Sequence, residues 1–177
     1  AANVPTLFAA VRNRTNTILP PQARAALRII AKQIDRLSQD IAGLEKAIKA
    51  HAKADDEMRR LMTIPGVGPM TATAVKAFVP DASIFKSARH FGSWTGLTPR
   101  TLSSGERTWT GGITKRGNCE LRSLIVAGAM SVVRNTKEDA RIWVASLKRR
   151  RPFKVAAVAL ADKIARTIWA LLVNGGI

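Results

Sequence analysis

Acidic side chains are scarce in this sequence. Twelve Asp and Glu stand against 29 Lys and Arg, a formal net charge of +17 over 177 residues. Such a surplus repels itself unless a polyanion compensates it, so DNA or RNA is the leading partner and an anionic membrane surface the lesser one. Cysteine is nearly absent: Cys119 stands alone, which excludes an internal disulfide and suits a reducing cytoplasm. The two histidines, His51 and His90, lie far from it in sequence, and together these residues are too few and too scattered for a common zinc site. No apolar run reaches about 18 residues, so no membrane span is expected, and the N-terminus lacks a signal-peptide pattern. Hydrophobic residues, by contrast, make up 46% of the chain, enough for a packed core and too many for wholesale disorder.

The charge is uneven. Residues 1–84 carry 12 basic and 7 acidic side chains, net +5, whereas residues 85–177 carry 17 and 5, net +12. A polyanion is therefore expected mainly on the second half.

Helical periodicity dominates the chain. Leu7, Phe8, Val11 and Ile18 share a face and read as the end of a helix, which Pro20-Pro21 interrupts. Pro21 suits the first position of a new helix. Leu27, Ile30, Ile34, Leu37, Ile41, Leu44 and Ile48 then alternate spacings of three and four, a heptad seam with Leu27, Ile34, Ile41 and Ile48 at a, and Ile30, Leu37 and Leu44 at d. Isoleucine at a with leucine at d favours two-stranded pairing, and the narrow apolar stripe predicts a long helix that pairs with a partner over residues 27–48. His51 falls at the next d position and marks the end of the seam. The expected organisation is 1–20 as the end of a preceding helix, 21–57 as a coiled-coil helix and 58–177 as a compact domain.

That domain opens with Ile64-Pro65-Gly66-Val67-Gly68-Pro69 between two short apolar helices. This resembles a helix-hairpin-helix element, whose turn amides contact phosphates through Gly66 and Gly68; it equally fits a compact corner in which glycines allow close packing. Further helices are expected over Ile84–Trp94 with Ser83 as cap and Gly96 as stop, over Asn118–Arg134, from a Thr136 cap through Leu147, and from Pro152 onward, the last apolar on most sides and so central to the bundle. The fold class is mainly α: a long coiled-coil helix followed by a helical bundle interrupted by one irregular basic loop.

The loop, Thr101-Leu-Ser-Ser-Gly-Glu-Arg-Thr-Trp-Thr-Gly-Gly-Ile-Thr-Lys-Arg-Gly-Asn118, concentrates hydroxyls, glycines and cations. Ser103 and Ser104 lie between Arg100 and Arg107, with Lys115, Arg116 and Arg122 following. Clustered cations bind a phosphodiester and stabilise the charge that builds on its oxygens under attack. No Asp–His pair lies nearby, which disfavours an acyl-transfer triad. Serine among arginines points instead to phosphoryl transfer on DNA; the bland alternative is a flexible turn. Lys148, Arg149, Arg150 and Arg151 suit a helix C-terminus as well as phosphates. Trp109 is expected to pin the loop to the core, with base stacking as the other possibility. Trp94, Trp143 and Trp169 are expected in the core, and Cys119 as a small buried residue.

Taken in order, the Ile64–Pro69 turn, Phe91 with Gly96-Leu-Thr-Pro-Arg100, Ser103-Ser104-Gly105, Gly112-Ile-Thr-Lys-Arg-Gly-Asn118 and Leu121-Arg122 resemble the C-terminal domain of insertion-sequence 110-type transposases, the bridge-RNA-guided serine recombinases. The match covers roughly residues 60–173, and the heptad helix matches the family's coiled coil. The resemblance implies a DNA recombinase with a covalent phosphoserine–DNA intermediate. Its nucleophile is the serine before the glycine, Ser104, with Ser103 as second candidate. It also implies a structured guide RNA, self-association through the coiled coil, and a bacterial, nucleoid-associated location. Family members carry in addition an N-terminal ribonuclease-H-like domain whose acidic residues bind magnesium. Nothing in this sequence replaces that domain. The chain is therefore expected to be catalytically incomplete, with no cofactor of its own and Mg2+ only alongside the acidic domain. The competing expectation is a non-catalytic basic coiled-coil protein that binds DNA or RNA.

Overall fold

A computed structural model describes residues 11, 20–104, 107–137 and 143–175. Among them the chain is mainly helical, with seven α-helices and one two-stranded sheet. Two compact units divide it, residues 1–47 and 48–177. Of the helix expected before Pro20, only Val11 is described; it is helical and buried.

Helix α1, Pro21–Ala54, begins at the proline whose fixed φ suits that position. Its seam residues Ile30, Ile34, Leu37, Ile41 and Leu44 are all exposed, from 39% at Ile34 to 64% at Leu44. Leu27 and Ile48, at the ends of the seam, are half-buried.

In the second unit, α2 (Asp56–Leu61) is capped by Asp55, which accepts from the Met58 amide at 2.9 Å. Lys76 of α3 (Pro69–Phe78) bonds to Asp55 and lies 3.3 Å from Glu57, joining α2 to α3. The turn between them holds Gly66 at φ +91°, where other residues are strained. Its backbone lies against Gly128: a methyl group on Gly128 would sit 1.9 Å from the Gly66 carbonyl oxygen. The turn is thus docked, backbone to backbone, on α5 (Cys119–Asn135).

A 3-10 turn, Ala82–Ile84, precedes α4, Ala88–Trp94. Ser83 caps neither. Asp81 caps the turn and Ser87 caps α4, because the chain bends between Phe85 and Ser87 and two short elements replace one helix. Gly96, at φ +72°, follows the end of α4 as a stop. Phe85, Phe91 and Trp94 pack ring against ring at 5.1–5.8 Å between centroids. Thr136 closes α5 rather than opening the next helix, its amide and hydroxyl both donating to the Val132 carbonyl. Ile142 lies outside the described residues.

Helix α6 spans Trp143–Arg150 and α7 spans Phe153–Asn174. Helix α7 is central, packing against α2, α4, α5, α6 and the 3-10 turn. It is not buried all round. Ala156, Ala157, Leu160, Ala161, Ile164, Ala165 and Ile168 face inward; the four alanines let neighbouring helices approach closely, and Leu160, Ile164 and Ile168 fill the core between them. Val155 is on the open side, 51% exposed.

The loop expected to be irregular is a regular β-hairpin. Strands β1 (Pro99–Ser104) and β2 (Arg107–Ile113) pair antiparallel, with an irregularity between Pro99 and Thr101. The alternation that announces a half-buried strand is missing from its sequence because neither face is buried.

Candidate functional site

The hairpin is anchored at its base. Thr114 donates its amide to the Thr98 carbonyl at 3.1 Å, Lys115 to Gly96 at 3.2 Å and Asn118 to Trp94 at 3.2 Å. The end of α4 and the approach to α5 are thereby laced together. Leu97 is buried beneath them. Arg100 donates to the Thr114 carbonyl at 3.1 Å, and Arg122 reaches back from α5 to the Thr95 carbonyl at 3.0 Å. Asn118 then starts α5 by accepting from the Leu121 amide at 2.8 Å. Lys115 takes φ +57°, a conformation that costs a residue with a side chain about 1 kcal/mol or more.

Beyond this base both strands are exposed. Pairing sets Ser104 opposite Arg107, Ser103 opposite Thr108, Leu102 opposite Trp109 and Thr101 opposite Thr110. Side chains alternate across a strand, so the two serines stand on opposite faces. Ser104 shares its face with Arg107, Leu102 and Trp109. Ser103 shares the other with Thr101, Thr108 and Thr110, a surface of hydroxyls without a cation among them. Residues 105 and 106 lie outside the described residues.

A groove of about 830 Å³ runs between the hairpin base and α7. Leu97, Ile113 and Val158 contribute apolar surface to it, and Arg100, Lys115, Lys154 and Arg166 contribute charge. Its carboxylate, Asp162, is paired with Arg166 at 2.7 Å. Among the described residues no group of three or more His, Cys, Asp or Glu is placed to hold a metal ion.

Comparison with known proteins adds what geometry cannot. Residues 58–143, which include the whole hairpin, match the model of the transposase IS116/IS110/IS902 family. A Pseudomonas aeruginosa protein named "Probable family 20 transposase" is 44% identical over 157 residues, 87% of this chain and 46% of that protein. The transposase for insertion sequence element IS1111A of Coxiella burnetii is 38% identical over 157 residues, 87% of this chain and 43% of its own length. The chain belongs to the IS116/IS110/IS902 transposase family. It spans about half the length of these curated relatives.

Within this transposase-family chain, the residues singled out from sequence do not form one cluster. Ser103, Ser104, Arg100 and Arg107 are on the hairpin, with Lys115 and Arg116 exposed at its base. Arg122 is half-buried and engaged with backbone, which gives it a bracing role. Gly66 is turned against α5, so the close-packing alternative describes it. Gly68 has open space around it and precedes α3. Lys148 donates to the Thr136 carbonyl at 3.1 Å, while Arg149, Arg150 and Arg151 are exposed at the end of α6. The sequence reading missed Lys154 and Arg166. Their helical phase relative to Val158 and Asp162 was readable; the face that α7 turns to the hairpin is set by tertiary packing.

Three aromatic or thiol expectations are reversed. Trp109 is 66% exposed and does not pin the hairpin to the core. Trp143 is 39% exposed, with the Lys163 ammonium 4.9 Å from its ring centre. Cys119 is exposed in the first turn of α5. Trp94 and Trp169 do pack against the core, the latter donating to the Ala82 carbonyl at 3.2 Å. No helix among the described residues is long and apolar enough to cross a membrane.

Proposed function

We propose that this chain is the DNA-joining half of a transposase in which Ser104 is the nucleophile. One observation carries the choice of residue: of the two adjacent serines, Ser104 is the one facing the same way as Arg107 across the hairpin. The Ser104 hydroxyl oxygen attacks phosphorus, forming a serine–phosphate ester and breaking the bond to one sugar oxygen. That oxygen leaves as a hydroxyl and, in sum, carries the proton serine gives up. Phosphodiester bond energy is conserved in the ester, so the reverse attack by another strand's hydroxyl rejoins DNA without ATP. Arg107, with Arg100 and Lys115 near the hairpin base, neutralises charge on the phosphoryl oxygens.

Serine also needs a base to accept its proton. We assign that task to carboxylates of the acidic domain that the resemblance implies. By itself the chain then binds DNA without cutting it. The exposed seam of α1 is the surface through which copies associate. A guide RNA, implied by the resemblance, would find its charge complement on the same basic second unit.

The test is to join this chain to the N-terminal ribonuclease-H-like domain that the resemblance implies, trap the protein–DNA adduct, and map the phosphorylated residue by mass spectrometry. The adduct is expected on Ser104, and Ser104→Ala should lower strand exchange by about a hundredfold or more while DNA binding persists. An adduct on any other residue of the unaltered protein overturns the assignment.

A further inference from the structure

Trp109 and Leu102 are paired across the hairpin, 66% and 61% exposed, on the face that carries Ser104 and Arg107. An exposed Trp–Leu pair forgoes the burial that ordinarily stabilises such side chains. It is the next pair on that face, two residues or about 7 Å along the strand from Ser104. Stacked nucleotides rise by about 3.4 Å per step in each DNA strand, so this separation spans about two steps, or one where the strand is unstacked and drawn out. The outside of a closed duplex presents phosphates and sugars. A flat apolar surface becomes available only when a base leaves the stack, and an indole then matches it in shape and polarity. Arg107, on the same face, and the basic residues at the hairpin base complement the adjoining phosphates.

We propose that Trp109, backed by Leu102, stacks on an unstacked base of single-stranded DNA one to two nucleotides from the phosphate that faces Ser104. This rests on the reading of Ser104 as the DNA-facing nucleophile and adds what holds the opened strand beside it. Trp109 thereby becomes the residue that sets the position of the strand, and Ser104 the one that reacts.

The experiment measures binding of labelled short single-stranded DNA, and of the same sequence as a closed duplex, over a range of salt concentrations. Trp109→Ala should weaken single-strand binding about tenfold, change duplex binding little and leave the salt slope unaltered. Trp109→Phe should recover most of the loss. An abasic nucleotide moved along the strand should at one position reproduce the effect of Trp109→Ala, with no further loss when the two are combined. The nucleophile is read from the mapped adduct and not from these binding values, so failure of stacking and failure of the nucleophile assignment are read separately. Unchanged single-strand binding in Trp109→Ala, an equal loss on closed duplex, or absence of rescue by Phe overturns the proposal. So does a change in oligomeric state on Trp109→Ala, which would mark the pair as a contact between copies.

Discussion

At the scale of single residues, Lys115 combines two properties that substitution separates. Its backbone is left-handed, at φ +57°, and its side chain lines the groove beside the hairpin. Lys115→Gly removes a conformational penalty of about 1 kcal/mol and adds an entropic cost of about 0.5–1 kcal/mol. Its unfolding free energy should therefore stay within about 0.5 kcal/mol of the parent in urea titration. DNA affinity should fall, and the salt dependence should lose about one unit of slope if the ammonium contacts phosphate. A flat slope difference places Lys115 off the DNA. Neither property was readable from the sequence. Clustered cations mark a stretch for phosphate, but only the folded chain shows that Arg122 is spent on the Thr95 carbonyl while Lys115 lines a groove. Trp109 shows the same limit: hydrophobicity argues for burial, and its place on an uncovered hairpin decides otherwise.

Among elements, α1 and the hairpin differ in how much their sequences disclose. The heptad seam was legible because each apolar residue recurs on one face, and the helix begins at Pro21 as its chemistry suggests. For the association proposed above, a second copy supplies a stripe identical to its exposed Ile34, Leu37 and Ile41. Ile34→Lys combined with Ile41→Lys should lower the sedimenting mass to that of a monomer. An unchanged mass would remove the seam as the association surface. The hairpin was not legible, since Thr101, Ser103, Thr108 and Thr110 make its second face as polar as solvent. Strand patterns are recognised by one apolar face, and here, beyond the hairpin base, Leu102 and Trp109 alone interrupt the polar run.

For the whole molecule, the shortage of acids gives each paired carboxylate unusual weight. Hydrogen bonding to Lys76, and then to the Met58 amide, holds the Asp55 carboxyl below its ordinary value. Its contribution is present above the ordinary aspartate range and is lost as pH falls through the depressed folded value. The Asp55 bond in turn holds Lys76 above its ordinary value, so that half persists until pH rises through the raised one. Across neutral pH both are in force. Asp55→Asn, which can keep the cap but not the ion pair, should lower the unfolding midpoint by a constant amount near neutrality. The gap to the parent should close below the ordinary aspartate range; a gap that persists in acid would show that something other than this pair produced it.

The hairpin's two open faces also bear on how any serine variant is interpreted. Burial normally penalises a strand that slides by one residue, because its apolar side would be turned to water. Here that penalty is small, and the irregularity between Pro99 and Thr101, together with the hydrogen bonds at the hairpin base, is what opposes sliding. A one-residue slip of β1 carries Ser103 across from Arg107, into the station Ser104 leaves. Under the proposed mechanism Ser103 is in that sense a spare for Ser104. Residual adduct in Ser104→Ala should map to Ser103, and the true zero of the reaction is the variant in which both hydroxyls are gone.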